Sequence, residues 1–164
     1  MWILRGKALK PDRYFIDFEA SGLHPDSYPI EIGICGPDFE FEALIKPARY
    51  WEHWSHDAQD MHGISREMIE SKGVAPERIC QALNERFAGQ VLWSDSHHDT
   101  LWMDILFEAA SMKQAFEVKN IMSEIDILKL PDYRSGGQDA LAHRALADAK
   151  EIRACWLYYL SVSL

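Results

Sequence analysis

Two carboxylates, Asp17 and Glu19, stand two positions apart inside an otherwise apolar run, Tyr14-Phe15-Ile16-Asp17-Phe18-Glu19. Such a run reads as a β-strand, where side chains i and i+2 point to the same face. Two anions on a covered strand cost several kcal/mol each unless something compensates them. A hard divalent cation with oxygen ligands is the most direct compensation. Composition alone gives about one D-x-E in a chain with 26 acidic residues, so the spacing gains weight only from its surroundings. Asp38 with Glu40 is a second instance, read as decoration of a turn and a sheet edge.

Near the other end stand His143 and Asp148. Five residues of α-helix turn through about 140°, so the two side chains meet only if His143 lies in the loop just before the helix that carries Asp148. Gly136 and Gly137 make a loop there reasonable. Between the two pairs, Ser94-Asp95-Ser96-His97-His98-Asp99-Thr100-Leu101-Trp102-Met103-Asp104 offers three further carboxylates. Ligands of α/β folds gather at the C-terminal edge of the sheet. Asp99 opens a helix just past an expected strand at 90–94, Asp95 is nearer the strand end, and Asp104 is two turns away.

The elements that must position these groups follow from periodicity. Strands are expected at 14–18, 29–35 and 39–46, the last two joined by Gly36, Pro37 and Asp38. Loop and short helix fill 49–65, Pro76 opens a helix to about Ala88, and a helix from about His98 to Met112 follows the strand at 90–94. Residues 118–130 suit a short strand or a helix, 131–137 a loop, and the last helix is expected from about Arg144 to Tyr159. The order βββαβα(β)α implies an α/β fold, a mixed sheet covered by helices.

With 164 residues, 48% of them hydrophobic, the chain suits a single domain over 1–164 with one core. Trp2 to Leu4 is far too short for a signal peptide's apolar region, and no stretch is long and apolar enough to span a membrane, so a soluble, cytoplasmic protein is expected. Cys35, Cys80 and Cys155 are widely spaced and read as buried, reduced thiols. The net charge of −9 argues against a protein that grips a long nucleic acid by its backbone. A polyanion would have to be met locally, through metals or a small basic patch. Arg144, Arg134, Lys46 and Arg49 are the candidates for that patch, although a lone cation is more often a solvated surface charge. His53 and His56, three apart, would share a helix face, and Trp51, Trp54 and Trp102 read as packing residues.

Taken together, these segments resemble the DEDDh family of DnaQ-like, ribonuclease H-like 3′-to-5′ exonucleases, which includes proofreading subunits, RNase T and oligoribonuclease. The first motif matches over IDFEASGLHPDSYPIEIGI, the last over HRALADA, and MHGIS at 61–65 resembles a further family element. The middle motif departs from the family, which usually has Asn and Phe where this chain has Asp95 and His98. The resemblance implies a ribonuclease H-like mixed sheet flanked by helices, with Asp17, Glu19, Asp99 and Asp148 as ligands of two divalent cations, Mg²⁺ or Mn²⁺, and His143 as general base. It implies contacts from Ala20 and Leu23 to the terminal nucleotide. Phe18 and Leu23 suit stacking or wedging against bases, with Phe18 equally suited to the core, and His62 and Arg144 join the substrate-binding set.

The implied activity is hydrolysis of phosphodiester bonds at the 3′ end of single-stranded RNA or DNA, with release of nucleoside 5′-monophosphates. RNA is the preferred expectation, since a compact single domain resembles stand-alone RNA trimmers. The apolar end of the last helix, with Trp156, Tyr158 and Tyr159, suits a homodimer contact. Two other classes fit the same residues: a nucleic-acid or nucleotide-binding module that retains the fold without turnover, and a metal-dependent phosphoesterase acting on small nucleotides.

Overall fold

A computed structural model describes residues 13–130 and 143–163. Trp2 to Leu4, Arg134, Gly136 and Gly137 lie outside the described residues. Strands β1 (Tyr14–Ala20), β2 (Pro29–Cys35) and β3 (Glu40–Leu44) form an antiparallel meander. Helices α1 (His56–His62), α2 (Arg66–Lys72) and α3 (Pro76–Phe87) follow. Strand β4 (Val91–Ser94) then pairs parallel with β1, and after α4 (His98–Ala109) strand β5 (Glu117–Asn120) pairs parallel with β4. The sheet order is β3-β2-β1-β4-β5, and α5 (Ala145–Ser163) closes the fold.

Helix α2 was not expected from periodicity, and its start is a capping effect. The Ser65 hydroxyl accepts from the Met68 N–H at 3.2 Å, as Ser55 does from Ala58 at the start of α1. Gly63 ends α1 in the left-handed region, φ 69°, with its N–H on the Gln59 carbonyl at 2.7 Å. MHGIS is therefore a helix stop and a helix start in five residues. The ambiguous stretch 118–130 resolves into the end of β5 and two 3₁₀ turns, Ile121–Ser123 and Ile127–Lys129. Helix α4 stops at Ala109, three residues before the expected Met112, where Ser111 takes φ 51°.

Every residue of β2 is buried, because both faces of the sheet are covered. Ile30, Ile32 and Ile34 belong to the larger core with Ile16, Phe18, Ile79, Leu83, Met103 and Leu106, on the face held by α3 and α4. Cys35 and Phe15 belong to a second core with Ala149, Ile152 and Trp156 of α5. In the β1–β2 register Phe15 opposes Cys35, Asp17 opposes Gly33 and Glu19 opposes Glu31. Asp17 and Glu19 therefore look toward α5, as the two-residue period requires.

The second core takes up residues also assigned to a homodimer contact. Trp156 is fully buried and Tyr159 nearly so, leaving Tyr158 exposed beside Leu157 and Val162. The Arg13 guanidinium lies between the Trp93 and Trp156 rings, 4.1 and 4.3 Å from their centroids, and pairs with Glu124 at 2.7 Å. Two of the three aromatics assigned to a homodimer contact thus serve the fold, since their helical phase turns them to the sheet. Cys35 and Cys80 are buried thiols as expected, whereas Cys155 is only half-buried.

Helix α5 sits on β2 with almost no clearance. A Cβ added at Gly33 would fall 2.2 Å from the Leu146 nitrogen and 2.3 Å from the Ala145 carbonyl carbon. Gly33→Ala must push the helix off the sheet. Overpacking of this kind costs about 1–3 kcal/mol. The expected result is a lower Tm, by about 2–4 °C for each kcal/mol lost, measured by circular dichroism; an unchanged Tm would show that α5 does not rest on β2.

Candidate active site

Strand β1 carries two carboxylates toward α5, and each is met by a different part of the chain. The carboxylate oxygens of Asp17, Asp95 and Asp99 lie within 4.8 Å of one another, and so do ligand atoms of Glu19, His143 and Asp148. Asp95 follows the end of β4, and Asp99 is in the first turn of α4. Both middle-motif candidates near the strand end therefore join the site, while Asp104 is exposed on α4. Asp99 is 2% exposed. The Ser94 hydroxyl, which is also buried, donates to its Oδ2.

His143 precedes α5 and Asp148 lies in its first turn, the arrangement required for an H-x4-D pair to converge. The His143 Nδ1 stands 3.5 Å from Asp148 Oδ2, an electrostatic contact that leaves Nε2 for another partner. The His143 N–H donates to the Met61 carbonyl at 3.1 Å, tying this loop to the end of α1.

Burial and mutual repulsion set the protonation of the cluster. Asp17 is held well above the ordinary carboxylate range, first by burial and then by Asp99, Glu19 and Asp148. Burial, then the charges of Asp148 and Glu31, push Glu19 up to about 8. Burial raises Asp99 to about 7 against the hydrogen bond from Ser94, which favours its ionised form. Asp148 is also raised by burial, with His143 opposing. Carboxyls raised in pKa by desolvation and like charge mark a site whose negative charge is uncompensated. Oxygen-rich donor sets at this spacing suit divalent cations such as Mg²⁺ or Mn²⁺.

A cavity of about 390 Å³ opens beside these carboxylates at the C-terminal end of β1. Phe18, Ala20 and Leu23 line it together with His62, as do Asp17, Glu19 and Asp99. Met61, His98 and Trp102 also line it and were not assigned to the site from the sequence. The signal for His98 and Trp102 is helical spacing, since they are four apart on the helix whose first turn carries the ligand candidate Asp99. Their rings stack at 6.2 Å. His62 is 3% exposed; its Nδ1 accepts from the Ile64 N–H at 3.0 Å, so the proton sits on Nε2. Burial lowers the His62 pKa and keeps the ring neutral.

Cations take little part. Among the described residues no Lys or Arg lines the cavity. The Arg144 guanidinium is turned to Glu31 and Glu42 instead of the cavity, and Lys46 and Arg49 are exposed away from its lining. His53 lies ahead of α1 and stacks on His24 at 4.5 Å, so it shares no helix with His56.

The fold is the α/β arrangement of exonuclease I. The structure of exonuclease I in its apo form superposes with a TM-score of 0.63 at 15% identity, over 87% of this chain and 40% of that one. The zinc-bound E. coli exonuclease I complex with single-stranded DNA gives 0.65 at 14%, over 93% and 41%. The enzyme from Methylocaldum szegediense gives 0.59 at 16%, over 93% and 39%. The chain thus spans about two fifths of the length of these structures. No protein-family model matches it, and no curated protein sequence does.

The raised carboxyls make stability depend on pH in a definite direction. Between the ordinary carboxylate pKa and about 8, folded Glu19 keeps a proton that the unfolded chain has released, so stability falls as pH rises through that window. Metal-free protein is expected to have a higher Tm at pH 5.5 than at pH 8, with Glu19→Gln flattening the difference. Millimolar Mg²⁺ or Mn²⁺ should raise the Tm most at pH 8. A melting curve indifferent to both cations at that pH would count against a metal centre here.

Proposed function

We propose that this chain is a metal-dependent 3′-to-5′ exonuclease that hydrolyses phosphodiester bonds at the 3′ end of a single-stranded nucleic acid and releases nucleoside 5′-monophosphates. The observation that carries the reading is the convergence of three separated segments on β1: Asp99 joins Asp17, His143 and Asp148 join Glu19, and Asp17, Glu19 and Asp99 line one nucleotide-sized cavity. The shared fold supports it, and one of the superposed structures is a complex with single-stranded DNA.

Asp17, Glu19, Asp99 and Asp148 would hold two divalent cations, Mg²⁺ or Mn²⁺, with Asp95 beside them. When bound, such ions activate a water on one side of the phosphorus and stabilise the leaving oxygen on the other. His143 Nε2 takes the proton of the attacking water, while Asp148 faces its other nitrogen. Ala20 and Leu23 touch the terminal nucleotide, and Phe18 and Trp102 give its base apolar walls. The cavity admits about one nucleotide and is without cationic lining among the described residues. Engagement is therefore confined to a short 3′ end, with little grip on the phosphates of a longer strand. A phosphoesterase acting on small nucleotides is a second reading, favoured by the same scarcity of cations.

Matched 5′-labelled single-stranded RNA and DNA, incubated with Mg²⁺ or Mn²⁺, test these readings. The expected product is a ladder of single-nucleotide steps, which also reports the preferred sugar. Asp17→Ala should abolish it, and His143→Ala should slow it by about 10²- to 10⁴-fold with little change in Tm. Turnover of a nucleotide monoester with no shortening of either strand would select the phosphoesterase. Tight binding of a strand without turnover would instead make the chain a binding module.

A further inference from the structure

Glu31 is fully buried, yet the proposed reaction does not use it. It stands on β2 directly across from Glu19 and faces the same side of the sheet. Left unpaired there, its carboxylate would be a further anion beside an already crowded cluster. Instead both its oxygens are taken by the start of α5. Arg144 Nε donates to Oε1 and Oε2 at 3.0 Å each, Arg144 Nη2 donates to Oε1 at 2.5 Å, and the Ala145 N–H donates to Oε2 at 3.1 Å. Arg144 Nη2 also reaches Glu42 on β3 at 3.3 Å.

A strand carboxylate thus caps α5, a service normally given by the residue just before a helix. Its partner residues are the immediate neighbours of His143, and Asp148 is one turn on, its N–H on the Arg144 carbonyl at 3.0 Å. Gly33, two residues along β2, lets the helix backbone down onto the sheet at this point. With both oxygens saturated, Glu31 has no free lone-pair direction to offer an ion. We propose that Glu31 is a positioning residue that locks the first turn of α5 against β2, so that His143 and Asp148 stand over Glu19, with Arg144 as its counter-ion and not a contact for substrate phosphate.

The inference rests on the exonuclease reading for its kinetic arm only. Glu31→Gln keeps the shape but places an amide N–H₂ against Arg144 or the Ala145 N–H. Arg144→Met keeps the stem and removes the charge. Both are assayed at a temperature where their melting curves show them folded. The expected result is kcat lowered about 10- to 100-fold in each, the range that a displacement on the order of 1 Å produces, with KM and its salt dependence within twofold of wild type. Arg144→Lys should recover part of kcat. The double variant should be no worse than Glu31→Gln alone, because the two residues act as one unit.

In parallel, the rise in Tm produced by Mn²⁺ should shrink by at least half in both single variants. If Glu31→Gln does not fold, Arg144→Met carries the test alone. A KM raised fivefold or more in Arg144→Met, with a flatter salt dependence, would make Arg144 a phosphate contact and overturn the proposal. So would an unchanged kcat and an unchanged Mn²⁺ response in the variants. Absence of nuclease activity in the wild type would strike the exonuclease reading instead, and the Mn²⁺ response of the variants would still decide the role of Glu31.

Discussion

The structure depends on how closely one helix backbone can approach one strand. Helix α5 rests on β2 where Gly33 has no side chain, close enough that a single Cβ would overlap its peptide nitrogen. That approach sets α5 beside β1, where Phe15 packs against Ala149, Ile152 and Trp156. The burial of β2 on both faces, the second core around Trp156, and the meeting of His143 and Asp148 with Glu19 all follow from that approach. Packing at native density makes such contacts intolerant of even one added carbon.

Against this attraction works the repulsion of the carboxylates it gathers. Asp17, Glu19, Asp99 and Asp148 are all pushed upward in pKa, with burial the first cause at each. The fold tolerates them because part of the charge can be neutralised by protons, and because Glu31, the acid nearest Glu19 across the sheet, is matched by Arg144. A site assembled at this energetic cost makes sense where something else supplies the missing positive charge. Stability and chemistry are in tension at β1, and α5 is the element that holds both.

Much of this was legible in the residues. The period of two placed Asp17 and Glu19 on one face, and the angular step of a helix required His143 to precede α5, as it does. The order of strands and helices gave the mixed sheet. What was not legible depended on partners distant in sequence. Arg144 reads as a phosphate contact until Glu31 is seen across the sheet, because strand register is invisible in one sequence. The i, i+4, i+7 spacing of Ala145, Ala149, Ile152 and Trp156 marks the face of α5 that meets the sheet, while the burial of Tyr159 beside Trp156 was not legible. Helix α2 hid behind its serine cap, since 66–72 is too short to establish a period. Asp95 and Asp99 could not be separated by spacing, and the structure keeps both at the site.

The site is split along the chain in an order that matters while the protein is being made. Asp17 and Glu19 emerge from the ribosome early, Asp95 and Asp99 midway, and His143 and Asp148 only with α5. Domains fold as units as they are synthesised, so a nascent chain that has not yet released α5 has a sheet with one face bare and only part of its ligand set. Until α5 docks, the carboxylates of β1 lack His143 and Asp148, so the full set of acidic and imidazole groups comes together only when the second face of the sheet is covered.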